Sequence, residues 1–150
     1  MIQLLPIVLP VATQWVEWHE RKILRQGAPL SPVGLADAVR MGVAHPEKIR
    51  LMTVERIPML NSLFMRILAR FAPAVSANTV GLSLRYGIYV REPWSHERNL
   101  IAHECVHTGQ YERLGSVGAF LLAYFTECLE TGYSDAPMEQ EAILRSASLD

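Results

Sequence analysis

The segment LIAHECVHTGQ carries His103 and His107 four positions apart, with Glu104 directly after the first histidine. On a helix, a spacing of four leaves the two imidazoles about 40° and 6 Å apart on one face, so both can reach one metal ion. Glu104 then points about 100° to the side, where it can take a proton from water without being a ligand itself. The pattern is H-E-x-x-H, and with five histidines and twelve glutamates in 150 residues it arises by accident in roughly 1% of such chains. Ile101, Ala102, Cys105, Val106 and Gly109 occupy the opposite arc and are small or apolar, so that side is expected to bury against a core.

Catalytic zinc usually has three protein ligands and a water, so one ligand is still to be found. The extended pattern H-E-x-x-H-x-x-G-x-x-H would put Gly and His at positions 110 and 113, which are Gln110 and Arg113. A carboxylate from a later helix is the remaining common solution, and DAPMEQEA offers Glu139 and Glu141. If Pro137 opens that helix, Glu139 falls third, where free amides and the helix dipole favour a carboxylate for structural reasons alone. Glu141 lies deeper and precedes the small Ala142, so it is the expected third ligand, with Glu139 the alternative. The two are separated by about 200°, so both cannot face one ion. Tyr111 and Tyr133 are candidate hydrogen-bond donors to a tetrahedral intermediate, although tyrosines so placed more often pack.

HECVHTGQYERLG, a hydrophobic helix and then GYSDAPMEQEA resemble the small bacterial zincin-like proteins that carry a metallopeptidase domain of gluzincin type. The resemblance runs from about Gly81 to Ala142. It implies zinc held by His103, His107 and a glutamate of the E-x-E-A segment, preferably the one directly before alanine, with Glu104 as general base. It also implies that the preceding strand, Tyr86 to Arg91, is the edge on which an extended substrate pairs. Gln110 matches a glutamine often found three residues past the second histidine. Well-known gluzincins place an aspartate four residues after the glutamate ligand; here those positions hold Ile143 and Arg145.

Several elements must position these residues. Apolar spacing predicts a helix from Val11 to Gln26, stopped at Gly27-Ala28-Pro29. Ser31-Pro32 reads as a cap and first turn of a helix to about Met41, Ile49 to Ile57 as a strand, and Ser62 to Phe71 as a helix ended by Pro73. Thr79 to Arg91 alternates at period two, with Gly87 marking a bulge or a hairpin bend. Ser95 is the expected cap of the helix that carries the histidines, with Gly115 its stop; helices from Val117 to Glu130 and from about Pro137 follow. The reading is one α+β domain, mostly helical and zincin-like, with a small antiparallel sheet. Its N-terminal helical part covers about residues 1 to 72 and its metal-site core about 79 to 148.

Half of the chain is apolar, enough for one core, and a formal charge of −1 argues against nucleic acid as a partner. Cys105 and Cys128 are too few for a disulfide scaffold and are expected to be reduced, buried thiols. The apolar start carries Pro6 and Pro10 and has no basic region before it, so neither a signal peptide nor a membrane span is expected, and the cytoplasm is the predicted compartment. Trp15 and Trp18, followed by Arg21, Lys22 and Arg25, leave a peripheral membrane contact open, with packing on the core favoured. His19, His45 and His96 are expected to be solvated. The expected function is a zinc-dependent hydrolase, a metallopeptidase acting on a peptide or protein; the alternatives are a catalytically silent zinc-binding module or a membrane-associated one.

Overall fold

The structure is a computed structural model that describes residues 2–58 and 79–149, so the helix expected from Ser62 to Phe71 lies outside the described residues. It has an α+β architecture, with a four-stranded sheet and five α-helices among the described residues. Helix α1 (Leu5–Gln26) begins six residues earlier than its apolar spacing predicted. Pro6 fits the first turn, where an amide hydrogen would have no partner, and Pro10 is accommodated inside the helix. Helix α2 (Pro32–Arg40) starts as expected: the Ser31 hydroxyl accepts from the Gly34 amide at 3.0 Å.

The sheet consists of β1 (Ala28–Pro29), β2 (Arg50–Val54), β3 (Gly81–Leu84) and β4 (Gly87–Arg91), in the order β1-β2-β4-β3. It is mixed rather than antiparallel, because β2 and β4 run parallel. The alternating segment from Thr79 folds back on itself at Arg85-Tyr86 and makes the β3–β4 hairpin, with Leu84 opposite Gly87. Its turn uses Arg85 at φ 64°, a left-handed conformation that costs a non-glycine residue energy. The buried carboxylate of Glu20 holds it there, accepting from Arg85 Nε and Nη2 at 2.8 and 2.7 Å and from the Tyr86 amide at 3.0 Å. Gly87 serves packing rather than the turn: a Cβ there would lie 3.0 Å from Cβ of Ile23, so its absence lets α1 approach the sheet.

Helices α3 (Arg98–Leu114), α4 (Val117–Thr131) and α5 (Pro137–Ala147) follow. Ser95 does not cap α3, because the chain makes a short 3-10 turn over Glu92–Trp94 and the helix begins only after Glu97. Gly115 ends α3 at φ 92°, and Ser116 caps α4 through the Ala119 amide at 3.0 Å. Two cores flank the sheet. Ile23, Leu84 and Tyr89 pack with Phe120 and Leu121 of α4 on the α1 side; Ile88 and Val90 pack with Ala38, Ala102, Cys105, Val106 and Ala142 on the other. The back of α3 is thus buried, as its sequence predicted. No helix among the described residues is long and apolar enough to cross a membrane.

Candidate metal centre

His103 and His107 project from the side of α3 that faces the start of α5. Their Nε2 atoms lie 3.1 and 3.3 Å from Oε1 of Glu139, which is only 2% exposed. One ligand atom from each of the three residues falls within 4.8 Å of the others, and these residues form a site that can hold a metal ion. The expectation for Glu141 is corrected here: its carboxylate turns away, accepting from Gln110 Nε2 at 2.7 Å and from Arg113 Nη2 at 2.8 Å. Arg145 also reaches it, at 3.2 Å. The capping role that would have explained Glu139 is taken by Glu127, whose Oε1 accepts from the Met138 amide at 2.8 Å, so Glu139 is free to point inward. Buried Ala142 gives α5 its close approach, as expected, but in service of the carboxylate three residues before it.

Gln110 tells how His107 is presented. Its Nε2 donates to the Met138 carbonyl at 2.9 Å as well as to Glu141, so its Oε1 is the atom left facing Nδ1 of His107, at 2.8 Å. His107 therefore carries a hydrogen on Nδ1, and Nε2 is the atom that meets the cluster, as a donor to Glu139 or, with that proton displaced, as a ligand to a cation. Two imidazole nitrogens and a carboxylate oxygen are a donor set that suits zinc. Burial opposes charging of His107, but hydrogen bonding to Glu139, the charge of Glu104 and the Gln110 contact raise its pKa to about 9. For Glu139, burial is outweighed by the two histidines, which hold its carboxyl well below the usual range. This is a place where positive charge is stabilised, and a cation satisfies it as a proton does.

Glu104 is buried beside the histidines, and burial raises its pKa, opposed by His103, His107 and the backbone of Ser83. Room for its carboxylate comes from Gly81, where a Cβ would lie 3.0 Å from Oε1. The strand beside the site is β3, and this corrects a second expectation: Tyr86 to Arg91 is not the edge, because β4 is paired on both sides, by β2 and β3. The Arg85-Tyr86 turn puts the first half of the alternating segment outermost. The Arg91 amide donates to the Val80 carbonyl, so the antiparallel alternation turns the amides and carbonyls of Gly81 and Ser83 away from β4. Among these, the Ser83 carbonyl accepts from the Tyr111 hydroxyl at 3.5 Å.

Tyr111 is thereby accounted for as a packing residue, stacked on Phe120 with ring centroids 3.6 Å apart. Tyr133 does come to the cluster, its hydroxyl 3.4 Å from Oε1 of Glu139. Tyr124 is a site residue the sequence reading missed; its hydroxyl donates to Oε2 of Glu139 at 3.0 Å. It sits inside the apolar run VGAFLLAYF, where it reads as one more core residue. The cluster opens into a cleft of about 540 Å³ walled by β3, α3, α4 and, on the far side, Ala12, Trp15 and Val16 of α1.

The remaining residues divide. His45 and His96 are exposed, as expected, whereas His19 is buried, with Nδ1 2.6 Å from the Tyr89 hydroxyl and its ring against Trp15 and Trp18. Cys105 and Cys128 are free and buried, and burial pushes their thiols up to about 12 and about 11. No family model, curated protein or solved structure matches this chain.

Proposed function

We propose that this protein is a zinc-dependent hydrolase, a metallopeptidase of zincin-like kind acting on a peptide or protein. The observation that carries the reading is the convergence of His103, His107 and Glu139 within 4.8 Å, in a cleft that also contains Glu104. His103, His107 and Glu139 would hold the ion. Zinc, when bound, acts as a Lewis acid that polarises a carbonyl and makes water more acidic. Glu104 takes the proton of the attacking water and delivers it to the leaving amine nitrogen as the C–N bond breaks. An extended substrate pairs with the Gly81 end of β3, because Ser83 is buried and its outward carbonyl is taken by Tyr111. Tyr133 and Tyr124 orient Glu139 through their hydroxyls, and Tyr133, whose hydroxyl meets the Oε1 atom that faces both histidines, is the candidate to donate to the developing oxyanion.

The test is elemental analysis combined with hydrolysis of a peptide mixture. About one zinc per chain is expected, with Glu104→Gln keeping the metal and losing hydrolysis. Full zinc content in the His103→Ala/His107→Ala double variant overturns the metal site. Zinc retained by a wild-type protein that cleaves no peptide would favour the catalytically silent module.

A further inference from the structure

Helix α1 buries Val8, Ala12, Val16 and Ile23, yet another face of it remains open and apolar. Ile7 is 69% exposed, Val11 48% and Trp18 52%. At about 100° per residue these three fall within about 40° of one another, with the exposed, uncharged Gln14 beside them, and the stripe from Ile7 to Trp18 is about 16 Å long. No charged residue lies between Met1 and Trp15. The same arc then changes character: Lys22 and Arg25 fall within about 60° of Ile7, one and two turns beyond Trp18. Lys22 Nζ stands 5.9 Å from the Trp18 ring centroid, so an aromatic and a cation meet at the boundary. Trp15, the next side chain around the helix, is half-buried and lines the cleft.

We propose that this face of α1 seats the protein on an anionic lipid surface. Uncharged apolar side chains, a tryptophan at the boundary and cations beyond it match the depth profile of a bilayer from acyl chain to headgroup. The cations select an anionic surface, and their long side chains reach its phosphates while their stems cover apolar area. No span is needed: the helix meets the interface at a tilt, its N-terminal turns deepest and Lys22 and Arg25 at the headgroups, with its other face on the protein core. Seated so, the protein holds the Trp15 side of its cleft against the membrane. The inference is independent of the hydrolase reading, since it rests on no residue of the metal cluster.

The experiment is co-sedimentation of the whole chain with vesicles of phosphatidylcholine alone or with 30% phosphatidylglycerol, at low and high salt. Binding is expected only to the anionic vesicles, with Trp18 fluorescence shifted to the blue and binding weakened by salt. Lys22→Gln and Arg25→Gln are each expected to weaken partition about fivefold, the equivalent of about 1 kcal/mol per cation. Ile7→Glu, at an exposed position, should abolish binding while leaving the circular dichroism spectrum and zinc content unchanged. No binding to either vesicle, equal binding to both, or binding insensitive to Ile7→Glu would overturn the proposal. So would a concentration-dependent dimer dispersed by Ile7→Glu, which would assign the stripe to a second copy of the chain.

Discussion

Gly81 on the edge strand lies so close to Glu104 on α3 that a single added carbon would stand 3.0 Å from Oε1 and 3.2 Å from Cγ of the glutamate. The side that a Cβ would occupy belongs to the carboxylate. Gly81→Ala is therefore expected to displace Glu104 and lower hydrolysis at least tenfold while zinc content stays near one per chain. A loss of about 1–3 kcal/mol in stability should accompany it. Parallel measurement of turnover, metal content and the urea midpoint checks this. A fully active alanine variant would show that the glutamate works from another position.

The two glutamates of α5 should separate cleanly. Glu139→Ala removes the carboxylate that faces both histidines and, on the proposed reading, is expected to abolish zinc binding. Glu141→Ala leaves the cluster but removes one of the two acceptors that fix the Gln110 amide against His107, the Met138 carbonyl being the other. Its zinc affinity should fall about 10- to 100-fold, without loss of the site. Competition with a chelating dye measures both variants, and the reverse order would return the ligand role to Glu141.

His19 should make stability depend on pH. Burial chiefly, and then the charge of Lys22, lower its pKa from 6.5 to about 4. Between those values the unfolded chain binds a proton that the folded protein refuses. Stability therefore falls as pH drops from about 6.5 to about 4 and levels off below, with a total loss on the order of 2 kcal/mol. His19→Gln does not titrate and retains an acceptor for the Tyr89 hydroxyl. Urea midpoints taken between pH 7 and pH 4 should fall less steeply for this variant than for the wild type; identical slopes would rule His19 out as the source.

The hairpin turn offers a fourth test. Arg85 keeps its left-handed backbone because Glu20, 3% exposed, binds its guanidinium twice and the Tyr86 amide once. Glu20→Ala should cost about 2 kcal/mol, since it strips a part-buried amide and a cation 35% exposed of their partner. Adding Arg85→Gly to it should recover part of the loss, because glycine adopts that conformation freely. Thermal unfolding of the single and double variants measures the recovery, and none is expected if the turn is relaxed in the wild type.

Much of the centre is readable in the chain because its signals are local. Four residues on one helix fix the relation between His103 and His107, and period alternation and capping residues mark α2, α4, α5 and the hairpin. Helix periodicity also identifies the buried arc of α3, with Ala102, Cys105 and Val106 in the core. Choosing between Glu139 and Glu141 depends on the rotation of α5 against α3, a long-range relation that no local pattern encodes. It was decided by Glu127 taking the Met138 amide and by Arg113, Arg145 and Gln110 drawing Glu141 outward. The edge of the sheet, likewise, follows from which strand β2 selects as its parallel partner, a pairing across more than thirty residues. The burial of His19 and the arrival of Tyr124 beside Glu139 have the same origin. Sequence spacing determines which side chains share a face of one element, whereas contact between faces of different elements is decided only when both cores are packed.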